Sequence, residues 1–171
     1  DSRAAVGDRI VLAANLADAV KAQAGIEEWN AVDHFKGEVL DGTVLAHPLV
    51  GKGYEFPVPL LSGDHVTDDA GTGFVHTAPS HGADDFEVGL KHGLEITDNV
   101  TDDGLFRDHV PLFAGGVIYD QKGKMGDGNF AVIKALNECG RLLSKGSVRH
   151  EYPHSWRSKA PVIFRTTPQW F

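Results

Sequence analysis

The sequence predicts an α+β fold with a β-barrel-like core of short strands and helices at its periphery. Short extended stretches recur with turn residues between them at spacings of roughly 8–12 residues, which is typical of small barrels. Three other stretches carry apolar residues at helical spacing and end at a glycine. The length of 171 residues fits one domain with a sizeable core.

Three helices are predicted from their start and stop signals. Their expected bounds are 15–24, 84–92 and 127–139. Asn15 and Asp127 have side chains that cap helix N-termini well. A glycine follows each helix, and glycine readily takes the left-handed conformation that ends one. The apolar face of the third helix includes Cys139, which we expect to be a core residue.

Short strands are predicted between these helices. Their approximate ranges are 9–14, two strands within 29–46, then 55–61, 64–67, 73–77, 104–108, 115–120, 142–149 and 161–165. A turn is expected at 51–53. Pro57 and Pro59 place the strand at 55–61 on a sheet edge, because proline cannot donate a ladder hydrogen bond.

Charge is unevenly distributed along the chain. The net charge is −8, from 16 basic and 24 acidic residues. Six of the basic residues and one acidic residue follow residue 140, which leaves a net charge of −13 for residues 1–140. An acidic body argues against strong binding of nucleic acid over the whole surface, whereas the basic C-terminal part could follow a phosphate backbone locally. A solvated basic face explains the same charges equally well.

Composition predicts a soluble protein of the cytoplasm, and we expect it to be a monomer. A single cysteine excludes an internal disulfide framework and a zinc site built from cysteines, and it fits a reducing compartment. No apolar run approaches the roughly 20 residues of a membrane-spanning helix, and no secretory signal starts the chain. A chain that starts at Asp1 and ends at Phe171 with an aromatic pair is expected to be a piece of a longer protein.

The central stretch, residues 71–93, gathers polar and titratable side chains on a loop between a predicted strand and a predicted helix. Such loops often hold sites, because a rigid scaffold positions their side chains. His76, His81 and an aspartate do not have a recognised metal-ligand spacing, and Ser80 lacks the Gly-x-Ser-x-Gly sequence of an activated nucleophile. Gly71-Thr72-Gly73 is not followed by the Gly-Lys-Ser/Thr sequence that ends a phosphate-binding loop. The alternative interpretation of the two glycines is a tight bend that lets the backbone approach another segment or a ligand closely.

His76 and the two aspartates each have a structural and a functional interpretation. Asp84 lies in the first turn of the predicted helix, where the helix dipole favours a carboxylate. Asp85 points in a different direction, and a carboxylate there could bind the ammonium group of a substrate. His76 is either a hydrogen-bonded core residue or part of a site. The residues alone leave both interpretations open.

The central stretch resembles the editing domain inserted into class I aminoacyl-tRNA synthetases for branched aliphatic amino acids. Residues 71–85, Gly-Thr-Gly-Phe-Val-His-Thr-Ala-Pro-Ser-His-Gly-Ala-Asp-Asp, are similar to the isoleucyl enzymes within that group. Residues 154–157 and 161–171 resemble the part where the insertion returns to the catalytic core, although Ser155 stands where the family commonly has cysteine. The resemblance implies an editing domain at 1–150 and a return segment at 151–171.

The resemblance implies hydrolysis of valine wrongly esterified to isoleucine tRNA. A pocket that accepts isoleucine cannot strongly exclude a side chain smaller by one methylene, so a second, smaller pocket hydrolyses the product. Asp85 corresponds to the aspartate that binds the α-ammonium group, and His76 to the histidine that borders the side-chain pocket. The other residues expected to contact the substrate are Thr72, Gly73, Phe74, Thr77, His81 and Asp84.

A positioned water is the implied nucleophile, so no cofactor and no metal is expected. The implied partners are the 3′-terminal aminoacyl-adenosine of misacylated tRNA and the remainder of the parent synthetase. One part of the family pattern is missing: the threonine-rich strand that forms the other wall of the pocket does not occur here. The sequence also lacks the His-x-Gly-His motif of the synthetic site. The alternatives are a non-catalytic segment that binds the tRNA acceptor end, and a His/Asp metal hydrolase.

Overall fold

The computed structural model describes residues 3–147 and 151–167. In these residues three α-helices and one two-stranded antiparallel sheet occur. The elements are α1 (Ala17–Ala24), β1 (Val44–Ala46), β2 (Pro57–Pro59), α2 (Ala83–His92) and α3 (Asp127–Glu138), with 3-10 helices at Ala14–Leu16 and Gly37–Leu40. The mixed α+β class is confirmed. The sheet does not close on itself, so the predicted β-barrel-like core is wrong for the part of the chain described.

The three helices lie where their stop signals predict them. Gly25 and Gly93 follow α1 and α2 with φ of 64° and 67°. Gly140, two residues beyond α3, has φ of 69°. A side chain at such a φ would be strained, whereas glycine adopts it freely. The C-terminal bounds of the helices therefore follow from local sequence.

The predicted N-caps are wrong because both side chains have partners elsewhere. Leu16 and Gly126 hold the cap positions of α1 and α3. The Asn15 amide donates to the Asp68 carboxylate at 2.6 Å. The Asp127 carboxylate accepts the amide hydrogen of Val117 at 2.8 Å. Each polar group thus stabilises a contact between segments instead of a helix end.

The sheet is a hairpin in which Leu45 pairs with Val58. The glycines of the predicted turn at 51–53 have positive φ of 84° and 94°, and the turn is confirmed. The edge position of Pro57 and Pro59 is confirmed as well, since both strands of a two-stranded sheet are edges.

Most other predicted strands form single bridges or none. Isolated antiparallel bridges join Val100–Phe106, Leu105–Val117, Tyr119–Met125 and His154–Pro161. They lie at or beside the predicted strands at 104–108, 115–120 and 161–165. The predicted strands at 9–14, 64–67 and 73–77, and the first within 29–46, are irregular or turns, as is 142–147. Residues 148–149, the end of the strand predicted at 142–149, lie outside the described residues. Twelve described glycines have positive φ, and three of them, Gly73, Gly104 and Gly115, stand at the first residue of a predicted strand.

The core lies where the hairpin, the loop after α2 and α3 meet. Leu49, Val110 and Phe113 are buried, and Tyr54 packs against them. From α3 and its end, the residues in contact with this cluster are Val132, Ala135, Leu136 and Cys139, which confirms that Cys139 faces the core. Among residues 3–147 and 151–167, no helix is both long and apolar enough to cross a membrane.

Candidate functional site

The central stretch starts where the chain crosses the segment before α1. The Ala13 amide donates to the Thr72 carbonyl at 2.8 Å. Gly73 has φ of 80°, and a Cβ at that position would lie 2.6 Å from the Cβ of Ala13. The backbones approach this closely because Gly73 has no side chain. The sequence prediction of a bend for close approach is confirmed.

The Thr72 hydroxyl stabilises the turn that follows the crossing. It donates to the Phe74 carbonyl at 3.2 Å and lies 3.3 Å from the Phe74 amide. Phe74 is 40% exposed and Val75 is 56% exposed. Thr72, Gly73 and Phe74, three of the residues predicted to contact the substrate, therefore lie on one exposed turn. Its apolar side chains, Phe74 and Val75, face solvent. Thr77 follows on the same loop and is half-buried.

The Asp85 carboxylate lies over Gly82 at the start of α2. A Cβ on Gly82 would meet Asp85 Oδ2 at 2.7 Å and Cγ at 3.1 Å. Gly82 is the N-cap residue of α2, and both Asp84 and Asp85 lie in its first turn. The positive end of the helix dipole stabilises negative charge there. Asp84 is exposed and Asp85 half-buried, so the two aspartates have different surroundings.

Neither the Asp85 carboxylate nor the His76 ring forms a hydrogen bond to another side chain or to the backbone within 3–147 and 151–167. His76 is exposed on the loop between the crossing and α2. A half-buried carboxylate without an ion-pair partner can bind a cationic group of a ligand through a charge-assisted hydrogen bond.

A second histidine, His47, lies within electrostatic range of His76. Its ring stacks on Tyr54, with centroids 4.6 Å apart and planes inclined by 11°. Its Nδ1 accepts the Leu49 amide hydrogen at 3.0 Å, so Nε2 carries the proton of the neutral ring. Burial, and then the charge of His76, lower the pKa of His47. No sequence pattern indicates this pair, because the two residues come from distant parts of the chain.

Ser80 and His81 contact two other segments. The Ser80 side chain is buried, and its hydroxyl donates to the Thr97 carbonyl. A carbonyl oxygen is not a base that could activate this hydroxyl as a nucleophile. The His81 ring lies against the Phe164 carbonyl, with Nδ1 and the oxygen 2.8 Å apart. Because a carbonyl only accepts, Nδ1 carries the hydrogen.

Potential metal ligands do not cluster. In the described ranges, with their gap at 148–150, no three His, Cys, Asp or Glu side chains are arranged to hold a metal ion.

Comparison with known proteins relates the chain to a segment of one enzyme family. No protein-family model matches the chain. It is 50% identical, over its whole length, to the isoleucine–tRNA ligase of Bradyrhizobium diazoefficiens. It is 54% identical over 96% of its length to that of Caulobacter vibrioides, and 48% identical over its whole length to that of Rhodopseudomonas palustris. The matched segments make up 18%, 17% and 18% of those ligases. The chain is homologous to a segment of isoleucine–tRNA ligases, which are aminoacyl-tRNA synthetases, and spans less than a fifth of their length.

The crossing at Gly73 can be tested by alanine substitution, with Gly71 as the matched control. Gly71 also has positive φ, of 68°, but no atom lies within 4 Å of its potential Cβ. We expect Gly71→Ala to lower the free energy of unfolding by about 1 kcal/mol through backbone strain. Gly73→Ala adds the clash with Ala13 and should cost about 1–3 kcal/mol more. Urea unfolding measures both.

The double variant Gly73→Ala with Ala13→Gly separates strain from clash. Removing the Ala13 methyl should recover most of the extra loss, because it removes the atom that the new Cβ meets. Equal losses for the two single variants would contradict the close approach.

The lowered pKa of His47 predicts a pH-dependent contribution to stability. The folded protein disfavours the protonated His47 ring, so the neutral ring contributes to the free energy of unfolding. This contribution is fully present above the ordinary histidine pKa of about 6.5. It is lost as pH falls through the lower pKa of the folded state. The stability advantage of the wild type over His47→Phe should therefore shrink between pH 7.5 and 5. Urea unfolding at both pH values measures it. A stability difference between wild type and His47→Phe that stays constant with pH would contradict this expectation. The control is His92→Phe, which replaces an exposed histidine.

Proposed function

We propose that this chain, as a homologue of a segment of isoleucine–tRNA ligases, is an editing domain. It hydrolyses the ester that joins valine to isoleucine tRNA. The observation that carries the proposal is the Asp85 carboxylate, which is half-buried at the start of α2 and makes no ion pair within the described residues. The similarity of residues 71–85 to the editing motif and the homology to the ligases support it.

In the proposed mechanism, Asp85 holds the α-ammonium group of the aminoacyl ester. The pairing of the carboxylate with an ammonium group fixes the amino acid in the cleft. A water molecule attacks the carbonyl carbon of the ester. The bond to the ribose oxygen breaks, that oxygen takes up a proton, and valine and tRNA leave. Aminoacyl esters are reactive, so positioning of the water supplies much of the rate.

His76 limits the size of the amino acid that enters. It borders the side-chain pocket beside the apolar surface of Phe74, and the His47 ring lies within electrostatic range. Isoleucine differs from valine by one methylene, a difference worth about 1–3 kcal/mol in an apolar pocket. An imidazole ring at the place that the extra methylene would occupy excludes isoleucine and leaves room for valine.

We propose that the tRNA acceptor end approaches the exposed basic side chains near the C-terminal end of the chain. Those side chains are Arg141, Lys145, Arg157 and Lys159. They follow a body of net charge −13, which repels phosphates elsewhere. The remainder of the parent ligase is the second proposed partner.

A non-catalytic segment that only binds the acceptor end is the second candidate function. The observation that favours it is the missing threonine-rich run, which would supply the other wall of the pocket. The two candidates differ in turnover, because the second predicts binding of aminoacyl-tRNA without loss of its ester.

The test places this chain in a whole ligase. We would replace the homologous segment of the Caulobacter vibrioides isoleucine–tRNA ligase and measure the release of valine from valyl-tRNA of the isoleucine acceptor. The chimaera should deacylate it, and Asp85→Ala should lower kcat/KM about 100-fold, as loss of positioning does. Glu87→Ala, an exposed carboxylate on the same helix, is the matched control and should have little effect.

Gly82→Ala makes this test more specific. It should lower kcat/KM almost as much as Asp85→Ala, because the new Cβ displaces the carboxylate. Gly82 has extended backbone, with φ of −154°, so the fold should tolerate the change. A chimaera that still charges tRNA but never releases valine would contradict the editing function. Binding of tRNA without turnover would then support the second candidate.

His76→Ala tests the selectivity. The smaller side chain should admit isoleucine, so hydrolysis of correct isoleucyl-tRNA should rise at least about tenfold relative to that of valyl-tRNA. The ratio of the two kcat/KM values measures this, with His92→Ala as the control. An unchanged ratio would show that His76 does not border the pocket.

A further inference from the structure

His81 joins two parts of the chain that are distant in sequence. Its backbone amide donates to the Ala78 carbonyl at 2.8 Å and closes a turn. Its Nδ1–H donates to the Phe164 carbonyl at 2.8 Å. The next residue, Gly82, begins α2 and accepts the amide hydrogen of Phe86 at 2.9 Å. Only Gly82 therefore stands between His81, which contacts segment 161–165, and the first turn of α2, which carries Asp85.

Segment 161–165 is held on both sides of Phe164 by contacts that do not involve His81. The Tyr152 hydroxyl donates to the Val162 carbonyl at 2.9 Å. The Arg165 guanidinium pairs with the Asp102 carboxylate and donates to the Val100 carbonyl at 3.4 Å. These contacts hold the Phe164 carbonyl in place, so this hydrogen-bond acceptor moves only when segment 161–165 moves.

Packing alone does not hold the His81 ring. The ring lines a cavity of about 260 Å³, which is also lined by Phe106, Tyr119 and Tyr152. A ring beside such a space can rotate unless a directional interaction holds it. The hydrogen bond to Phe164 is that interaction.

We propose that His81 is a positioning residue. Its bond to the Phe164 carbonyl fixes the start of α2, and thereby the Asp85 carboxylate, relative to segment 161–165. Deacylation then responds to the position of that segment, although no residue in it touches the substrate. The proposal rests on the proposed function and gives His81 a role other than direct substrate contact.

Three substitutions at His81 or its anchor, made in the chimaeric ligase, test the proposal. His81→Ala removes the donor and should lower kcat/KM for valyl-tRNA about tenfold, mainly through kcat. His81→Asn places an amide N–H where Nδ1–H lies and should recover activity to within about threefold of the wild type. Arg165→Ala removes the contacts that hold the segment on the C-terminal side of Phe164, so that the Phe164 carbonyl can shift. It should give a loss of similar size and add little in a double variant with His81→Ala, because both break one linkage.

Amide hydrogen exchange at Phe86 gives a readout that needs no enzymatic activity. Exchange should speed up in His81→Ala, return towards the wild-type rate in His81→Asn, and stay unchanged in the control His92→Ala. Unchanged exchange and kcat/KM in His81→Ala, in a chimaera that deacylates normally, would overturn the positioning role and leave the proposed function intact. A rise in KM alone that Asn does not restore would also overturn it, in favour of direct substrate contact. Altered exchange in a chimaera without deacylation would support the linkage and contradict the proposed function.

Discussion

The position of the candidate site depends on a crossing of two backbones that only glycine permits. At Gly73 the chain passes close to Ala13, and the adjacent hydrogen bond from the Ala13 amide to Thr72 fixes the start of the loop. The far end of the loop is fixed where the buried Ser80 hydroxyl binds Thr97. The loop is therefore held at both ends by segments far away in sequence, while His76 between them is exposed. This combination of fixed ends and available side chains is what a binding loop requires.

A second glycine determines what the loop can do chemically. Because Gly82 has no Cβ, the Asp85 carboxylate can fold back over the first turn of α2. The helix dipole stabilises its charge there, and no cationic side chain of the described residues neutralises it. An internal ion pair would have to break before a ligand could bind. No such pair occurs among the described residues, and in the proposed reaction the carboxylate meets an ammonium group instead.

Local signals in the sequence were sufficient for the helices but not for the sheet. Gly25 and Gly93 end α1 and α2 as predicted, because the left-handed conformation is a property of the residue itself. Asn15 and Asp127 do not cap their helices, since the Asn15 amide binds Asp68 and the Asp127 carboxylate binds the Val117 amide. The barrel prediction placed β1 and β2 within predicted strands, but it took irregular segments and turns for further strands. Those segments form at most isolated bridges, because strand pairing depends on contacts with other segments that no local pattern shows.

The site was partly predictable for the same reason. The order of residues at 71–85 indicated the loop, the close approach at Gly73 and the different surroundings of the two aspartates. The proximity of His47 to His76 and the bond from His81 to Phe164 arise only in the folded chain. No spacing rule connects such residues, so tertiary structure was needed to find them.

The central claim is that Asp85 binds the ammonium group of the aminoacyl ester. A nonhydrolysable valyl amide of adenosine and its analogue without the amino group can be titrated against the wild-type chimaera and Asp85→Asn by calorimetry. We predict that Asp85→Asn weakens binding of the amino compound by about 1.5–3 kcal/mol, as expected for a lost hydrogen bond between charged groups, and leaves binding of the analogue nearly unchanged. Equal weakening of both compounds, or of neither, would contradict the claim.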